Sequence, residues 1–183
     1  MHPIPIGGPP VEPVTLAAMR AYLRVDGDIE DALIEGLARA ARLQVEAASG
    51  RLLAEGRWRI GLDRWPPGRL VRLPLAPLVS VERVAVADGS GALHDLGPGL
   101  VTVHPAADPP ALTVSPAAPD PGIPAGGVVI EVRAGYGTAA PESLAQAVRL
   151  IAARWFEHRG DGQAGPLPAD IAALVRPFRR LRV

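Results

Sequence analysis

The groups that could carry chemistry are few, and their spacing does not bring them together. The four histidines are His2, His94, His104 and His158. No two stand at the spacing of roughly three to five residues by which one helix face offers a metal two imidazoles. Cysteine is absent, which removes thiolate catalysis, disulfide frameworks and Cys-based zinc sites together. Lysine is absent too, so there is no Walker A loop, no Schiff-base lysine and no Ser-Lys dyad. No Gly-x-Ser-x-Gly elbow occurs. The stretch Gly160-Asp161-Gly162-Gln163-Ala164-Gly165 is glycine-rich, but it lacks the preceding strand and the Lys-bearing helix of a phosphate cradle. Arg159-Gly160-Asp161 spells an adhesion tripeptide and needs no more than a helix end followed by a turn. The carboxylates fall mostly where helix caps and turns use them. The expectation is a protein with no catalytic residues, no metal ligands and no cofactor, and so not an enzyme.

Two features suit contact better than catalysis. The C-terminus gathers Arg176, Phe178, Arg179, Arg180, Leu181 and Arg182. It reads either as a solvated terminus or as a docking peptide for a partner, anchored by Phe178 and Leu181 with the arginines pairing to carboxylates or phosphates. The Pro/Gly-rich N-terminal arm and the proline-dense residues 104–127 read either as loops or as extended segments that reach a neighbour. A nucleic-acid-binding module using the Arg-rich tail is the alternative function, and its mark is steep salt dependence of DNA affinity.

The elements that position these groups belong to one domain, or one domain with an inserted lobe, because the chain has 183 residues against roughly 100–200 per domain. A hydrophobic fraction of 48% supports a core without disulfide or metal staples. The 21 prolines and 20 glycines approach disordered composition, but that apolar fraction contradicts disorder, and Arg in place of every Lys points to coding bias. Basic and acidic side chains number 19 each, which argues against a protein whose main work is gripping phosphate backbones. The balance is nevertheless polarised. Residues 1–50 hold 4 Arg and 7 acids, a net of −3, and residues 141–183 hold 7 Arg and 4 acids, a net of +3. No apolar run approaches the roughly 18–20 residues of a membrane span, and Met1–Gly8 lacks the basic-then-apolar form of a signal peptide.

Periodicity changes twice along the chain. Thr15 caps a short helix carrying Leu16, Met19 and Leu23, broken at Asp26-Gly27. A long helix comes next, with Asp28 as N-cap, an apolar stripe of Ile29, Leu33, Leu37, Ala41, Val45 and Ala48, and Gly50 after its end. Glu35 to Arg39 and Arg42 to Glu46 are expected as ion pairs on its exposed side. Strand patterns then appear around Trp58-Ile60-Leu62, at residues 79–86 with a bulge at Glu82-Arg83, at 100–103 and at 128–132, and Asp88-Gly89-Ser90-Gly91 marks a turn. Helix returns at Pro141, with Leu144, Val148, Ile151 and Trp155 as its stripe, before a short helix that Pro177 ends. The predicted fold is α+β. Residues 1–50 supply an arm and helices, 51–137 an inserted small antiparallel β lobe with a Pro-rich loop, and 138–183 the C-terminal helices and docking tail. The helical bundle core joins Leu33, Leu37 and Ala41 to Val148, Ile151 and Trp155.

Several patches resemble the head–tail connector (adaptor) proteins of long-tailed phages and gene transfer agents. They are Pro13-Val14-Thr15-Leu16, Tyr22 through Asp28 with the helix to Arg51, Leu73-Pro74-Leu75-Ala76-Pro77-Leu78-Val79-Ser80-Val81, Ala134-Gly135-Tyr136-Gly137, Ala153 through Arg159, and Leu174 through Arg179. Each is unspecific alone; their order and spacing make the match, over about two-thirds of the chain. The resemblance implies a non-enzymatic ring subunit, commonly present as twelve copies on a dodecameric portal protein. A tail-side stopper or terminator protein sits below, and DNA passes through the lumen without tight binding. It implies residence in the neck of a virion or phage-like particle assembled in the bacterial cytoplasm, with no membrane partner. The Arg-rich tail would then dock on the portal or a neighbouring subunit.

Overall fold

A computed structural model of the chain describes residues 1–158 and 166–179. The fold is α+β, and its backbone forms two compact units that the chain visits alternately. Met1–Pro10 and Glu55–Gly135 make a β unit; Val11–Ala54 and Tyr136–Val183 make a helical one. No helix among the described residues is long and apolar enough to cross a membrane.

In the helical unit, α1 (Leu16–Leu23) starts as its sequence dictates: the Thr15 hydroxyl accepts the Ala18 amide at 3.2 Å. It stops at Arg24, whose left-handed backbone (φ 54) lets its amide reach back to the Ala21 and Arg20 carbonyls. The long helix α2 (Asp31–Ser49) ends at Gly50, which takes the same left-handed form at φ 71. Its start differs from expectation. Glu30 occupies the N-cap and its side chain makes no capping bond, while the Asp28 carbonyl accepts the Asp31 amide. Ile29 therefore lies before the helix and is 97% exposed. The stripe counted from Ile29 fails at its first two positions, while Ala41 and Val45 are buried and Leu37 and Ala48 pack against the core. Leu33 is 40% exposed, and Ile34 is buried in its place.

Helix α3 (Glu142–Glu157) buries Leu144, Ala145, Ala147, Val148, Ile151 and Ala152. The short α4 (Ala169–Val175) buries Ile171 and Val175. These meet Val14, Met19, Ile34, Ala41, Val45 and Leu53 in one core, with Leu37 and Trp155 partly buried against it. Ala41, Val148 and Ile151 thus pack as the sequence implies, Leu37 and Trp155 sit at the margin, and Leu33 does not take part.

The β unit holds two sheets. One has five strands in the order β1 (Pro3–Val11), β2 (Glu55–Leu62), β8 (Val128–Ala134), β4 (Leu78–Ala87) and β5 (Leu93–Asp95). The other has three, β3 (Leu70–Arg72), β7 (Ala111–Val114) and β6 (Val101–His104). Antiparallel register sets Ile60 and Val84 opposite Ile130 and Trp58 opposite Val132, so one face of the larger sheet is apolar. A register shift between Val81 and Arg83 sets the bulge at Glu82.

This topology decides between readings that the sequence leaves open. The N-terminal arm forms the edge strand β1. Residues 104–127 are not an arm awaiting a partner. They contain β7, whose Ala111, Leu112 and Val114 are buried, and they pack onto the unit itself. The Trp65 indole donates to the Pro119 carbonyl at 3.0 Å, and Arg69 donates to the Ser115 and Ala118 carbonyls at 3.1 and 2.7 Å. The surrounding prolines make this stretch read as loop or arm and hide a strand of four residues within it.

Candidate assembly interfaces

The C-terminal segment is the strongest docking candidate in the sequence, and the structure splits it. Pro177 ends α4 in a single 3-10 turn, Arg176–Phe178. Phe178 is partly buried against its own helical core, and its carbonyl accepts Arg51 Nε at 3.2 Å. Arg179 Nε donates to the Ala48 carbonyl at 3.3 Å, at the end of α2 where carbonyls lack helical partners. Arg176 is exposed. Arg180, Leu181 and Arg182 lie outside the described residues, as do Gly160–Gly165 and the Arg159-Gly160-Asp161 tripeptide. The segment thus binds back at its root, through Phe178 and Arg179.

A second arrangement escapes sequence reading. Arg42 sits on the buried side of α2, 8% exposed, between Ala41 and Val45. Its guanidinium lies 2.8 Å from the carboxylates of both Glu12 and Glu46. Glu46 Oε1 in turn accepts the Leu53 and Ala54 amides at 2.7 and 3.1 Å. One buried ion network therefore ties the residue just after β1 to the residues just before β2. The signal in the sequence is an arginine placed within an apolar stripe, where burial demands a partner.

On the β unit, Glu131 is 8% exposed and accepts Arg59 Nε and Nη2 at 3.0 and 2.8 Å. Arg57 bridges from Glu131 to Glu82 at 3.8 and 2.6 Å, and Arg133 lies 3.5 Å from Glu55. Cations and anions alternate across β2, β8 and β4, so this face presents mutually neutralised charge. That is a surface suited to specific contact and poorly suited to gripping a polyanion.

The titratable groups are occupied locally. His94 Nε2 lies 2.7 Å from Asp88 Oδ2, His104 Nε2 is 2.9 Å from Thr113 Oγ1, and His158 Nδ1 is 3.0 Å from the Arg154 carbonyl. Asp88 also accepts the Ser90 hydroxyl at 2.6 Å and the Ser90 and Ala92 amides at 2.8 and 3.1 Å. Bonds from the Ser90 side chain, then His94 and the Ser90 amide, hold its carboxyl well below the usual carboxylate range. This is the chemistry of a turn. Among the described residues no group of three or more His, Asp or Glu is placed to hold a metal ion. A groove of about 140 Å³ lies in the helical unit over Val14, Leu16, Met19 and Ile34, well below the roughly 300–1,000 Å³ of small-molecule pockets.

Neither a family model nor a curated protein matches the sequence. Solved structures do. The neck of an empty gene transfer agent particle, computed with C6 symmetry, contains a chain 31% identical to this one, with a TM-score of 0.82 over 100% of this chain and 97% of that one. A chain in the virion of a native gene transfer agent particle is 30% identical over the same shares, with a TM-score of 0.80. One in the native neck, computed with C12 symmetry, is 30% identical with a TM-score of 0.76. The chain belongs to the head–tail connector family of phages and gene transfer agents. As a connector protein it is a structural component of a phage-like particle.

Proposed function

We propose that the chain is the adaptor of its particle. It is a subunit of a ring, twelve copies strong, that joins the portal protein to the tail-side stopper or terminator and lines part of the DNA conduit. The observation that carries this reading is the likeness to neck chains over the full length of this one, in particles treated with C6 and C12 symmetry. The charge distribution supports it: a conduit must let DNA slide, and the ion pairs around Glu131 leave few free cations on that face. Opposite net charge at the two ends of the chain offers complementary faces for a head-to-tail ring.

The test is a native mass measurement of the purified protein alone and mixed with assembled portal. The expected result is a monomer alone and a single stoichiometric ring on the portal. A protein that ignores the portal at micromolar concentration overturns the adaptor reading. Tight, salt-sensitive retention of DNA by the free protein would instead favour a nucleic-acid-binding module.

A further inference from the structure

Strand β1 lies at the edge of the five-stranded sheet, beside β2, and buries no side chain. Pro3 and Ile6 are half-buried and the other seven residues are exposed. Pro3, Pro5, Pro9 and Pro10 have no amide hydrogen to give a ladder. On and beside this strand Met1, Ile4 and Val11 are 49%, 60% and 50% exposed, three of the ten large apolar side chains that stand exposed among the described residues. Such a strand lacks four of the amide donors a ladder would use and still has apolar surface to bury.

The chain immediately after β1 is fixed firmly. Glu12 is 2.8 Å from Arg42, and Val14 is buried. The pivot falls at Val11, where the chain passes from one unit to the other. The start of β2 is anchored independently, through the Leu53 and Ala54 amides on Glu46. A subunit that releases its β1 therefore keeps an ordered β2 edge ready to receive another.

We propose that β1 is exchanged between copies: in the assembled ring, the β1 strand of one subunit lies on the β2 edge of the next. This rests on the ring reading of the proposed function. The occupant is a second copy because the β2 edge already accepts this sequence, and the same pairing serves between chains. The prolines argue against unlimited growth. The outer side of β1 is a poor template for a further strand, so each copy gives one arm and receives one, which closes a ring and does not extend a sheet.

The absence of cysteine makes the test direct. A Cβ built on Gly56 lies 3.6 Å from Pro10 Cβ, within the roughly 3.5–4.5 Å of a disulfide. Particles carrying P10C and G56C together are oxidised and run on a non-reducing gel, after electron microscopy has shown whether the ring is present. The expected result is a ladder of covalent multimers that collapses on reduction. Where the double variant does not assemble, chains carrying P10C alone and G56C alone are co-assembled, and exchange predicts a disulfide between the two. Rings that yield only internally bridged monomers, with no link between the single variants, overturn the exchange and leave the ring standing. Particles of the unsubstituted parent with no ring of this chain overturn the ring reading and the exchange with it.

Discussion

Arg42 and Glu46 lie 2.8 Å apart with side chains only 10% and 11% exposed. Their i,i+4 spacing is that of a surface helix pair, yet they face inward. Glu46 has two sets of partners there, the guanidinium and the backbone amides of Leu53 and Ala54. Removing the carboxylate leaves two amides unpaired and the buried Arg42 with Glu12 as its remaining carboxylate. Glu46→Ala is expected to lower stability by about 3–5 kcal/mol, as for other broken buried pairs, measured from urea denaturation. Combining it with Arg42→Met should cost less than the sum of the two single changes. Strict additivity would show that the two side chains do not act as a unit.

Neighbouring residues on the same helix make a sharper test of the phase of α2. Ile34 is fully buried and Leu33 is 40% exposed. Ile34→Ala is expected to cost about 2–5 kcal/mol, whereas Leu33→Ala should stay within about 0.5 kcal/mol on grounds of surface position. Equal losses in chemical denaturation would place Leu33 in the core beside Ile34.

Asp88 makes the β4–β5 turn sensitive to acid. Its carboxyl is held below the ordinary aspartate value of 3.8 by the Ser90 side chain, then His94 and the Ser90 amide. A depressed folded-state pKa means a contribution present above the unfolded value and lost as pH falls through the folded one. The thermal midpoints of the parent and Asp88→Ala should differ by a constant amount near neutrality. The gap should close below about pH 4, where the unfolded carboxyl starts to take up its proton. A gap that persists unchanged to pH 2 rules out the ionised turn as its source.

Much of the architecture is legible in the sequence because it rests on local rules. Thr15 as cap, Gly50 as stop, the bulge at Glu82 and the helix beginning after Pro141 derive from propensity and capping chemistry. The features that stay hidden depend on distant partners. The burial of Arg42 needs Glu12, thirty positions away in the chain, and the strand Ala111–Val114 exists only because β3 and β6 flank it. The arm's place as a strand is hidden for a related reason. Its prolines argue against a strand interior, but an edge tolerates them. Of the docking residues, Phe178 and Arg179 cannot be told from free ones by sequence, since their seats on the core and on Ala48 belong to a segment far back in the chain.

That seating decides where a truncation should be made. Deleting Arg176–Val183 removes Phe178 from the helical core and the Arg179 bond to Ala48, so a loss of about 1–2 kcal/mol from lost apolar burial is expected. Any assembly defect would then be confounded with instability. Deleting residues 180–183 takes away Arg180, Leu181, Arg182 and Val183 while sparing both contacts. Urea denaturation of this shorter variant against the parent is the control that separates docking from stability. If those residues dock on the portal or a neighbouring copy, cells producing it will accumulate DNA-filled heads without tails, visible by electron microscopy. Normal tailed particles from the shorter variant would remove the docking role from the tail and leave assembly to the β unit, with β1 the first segment to test.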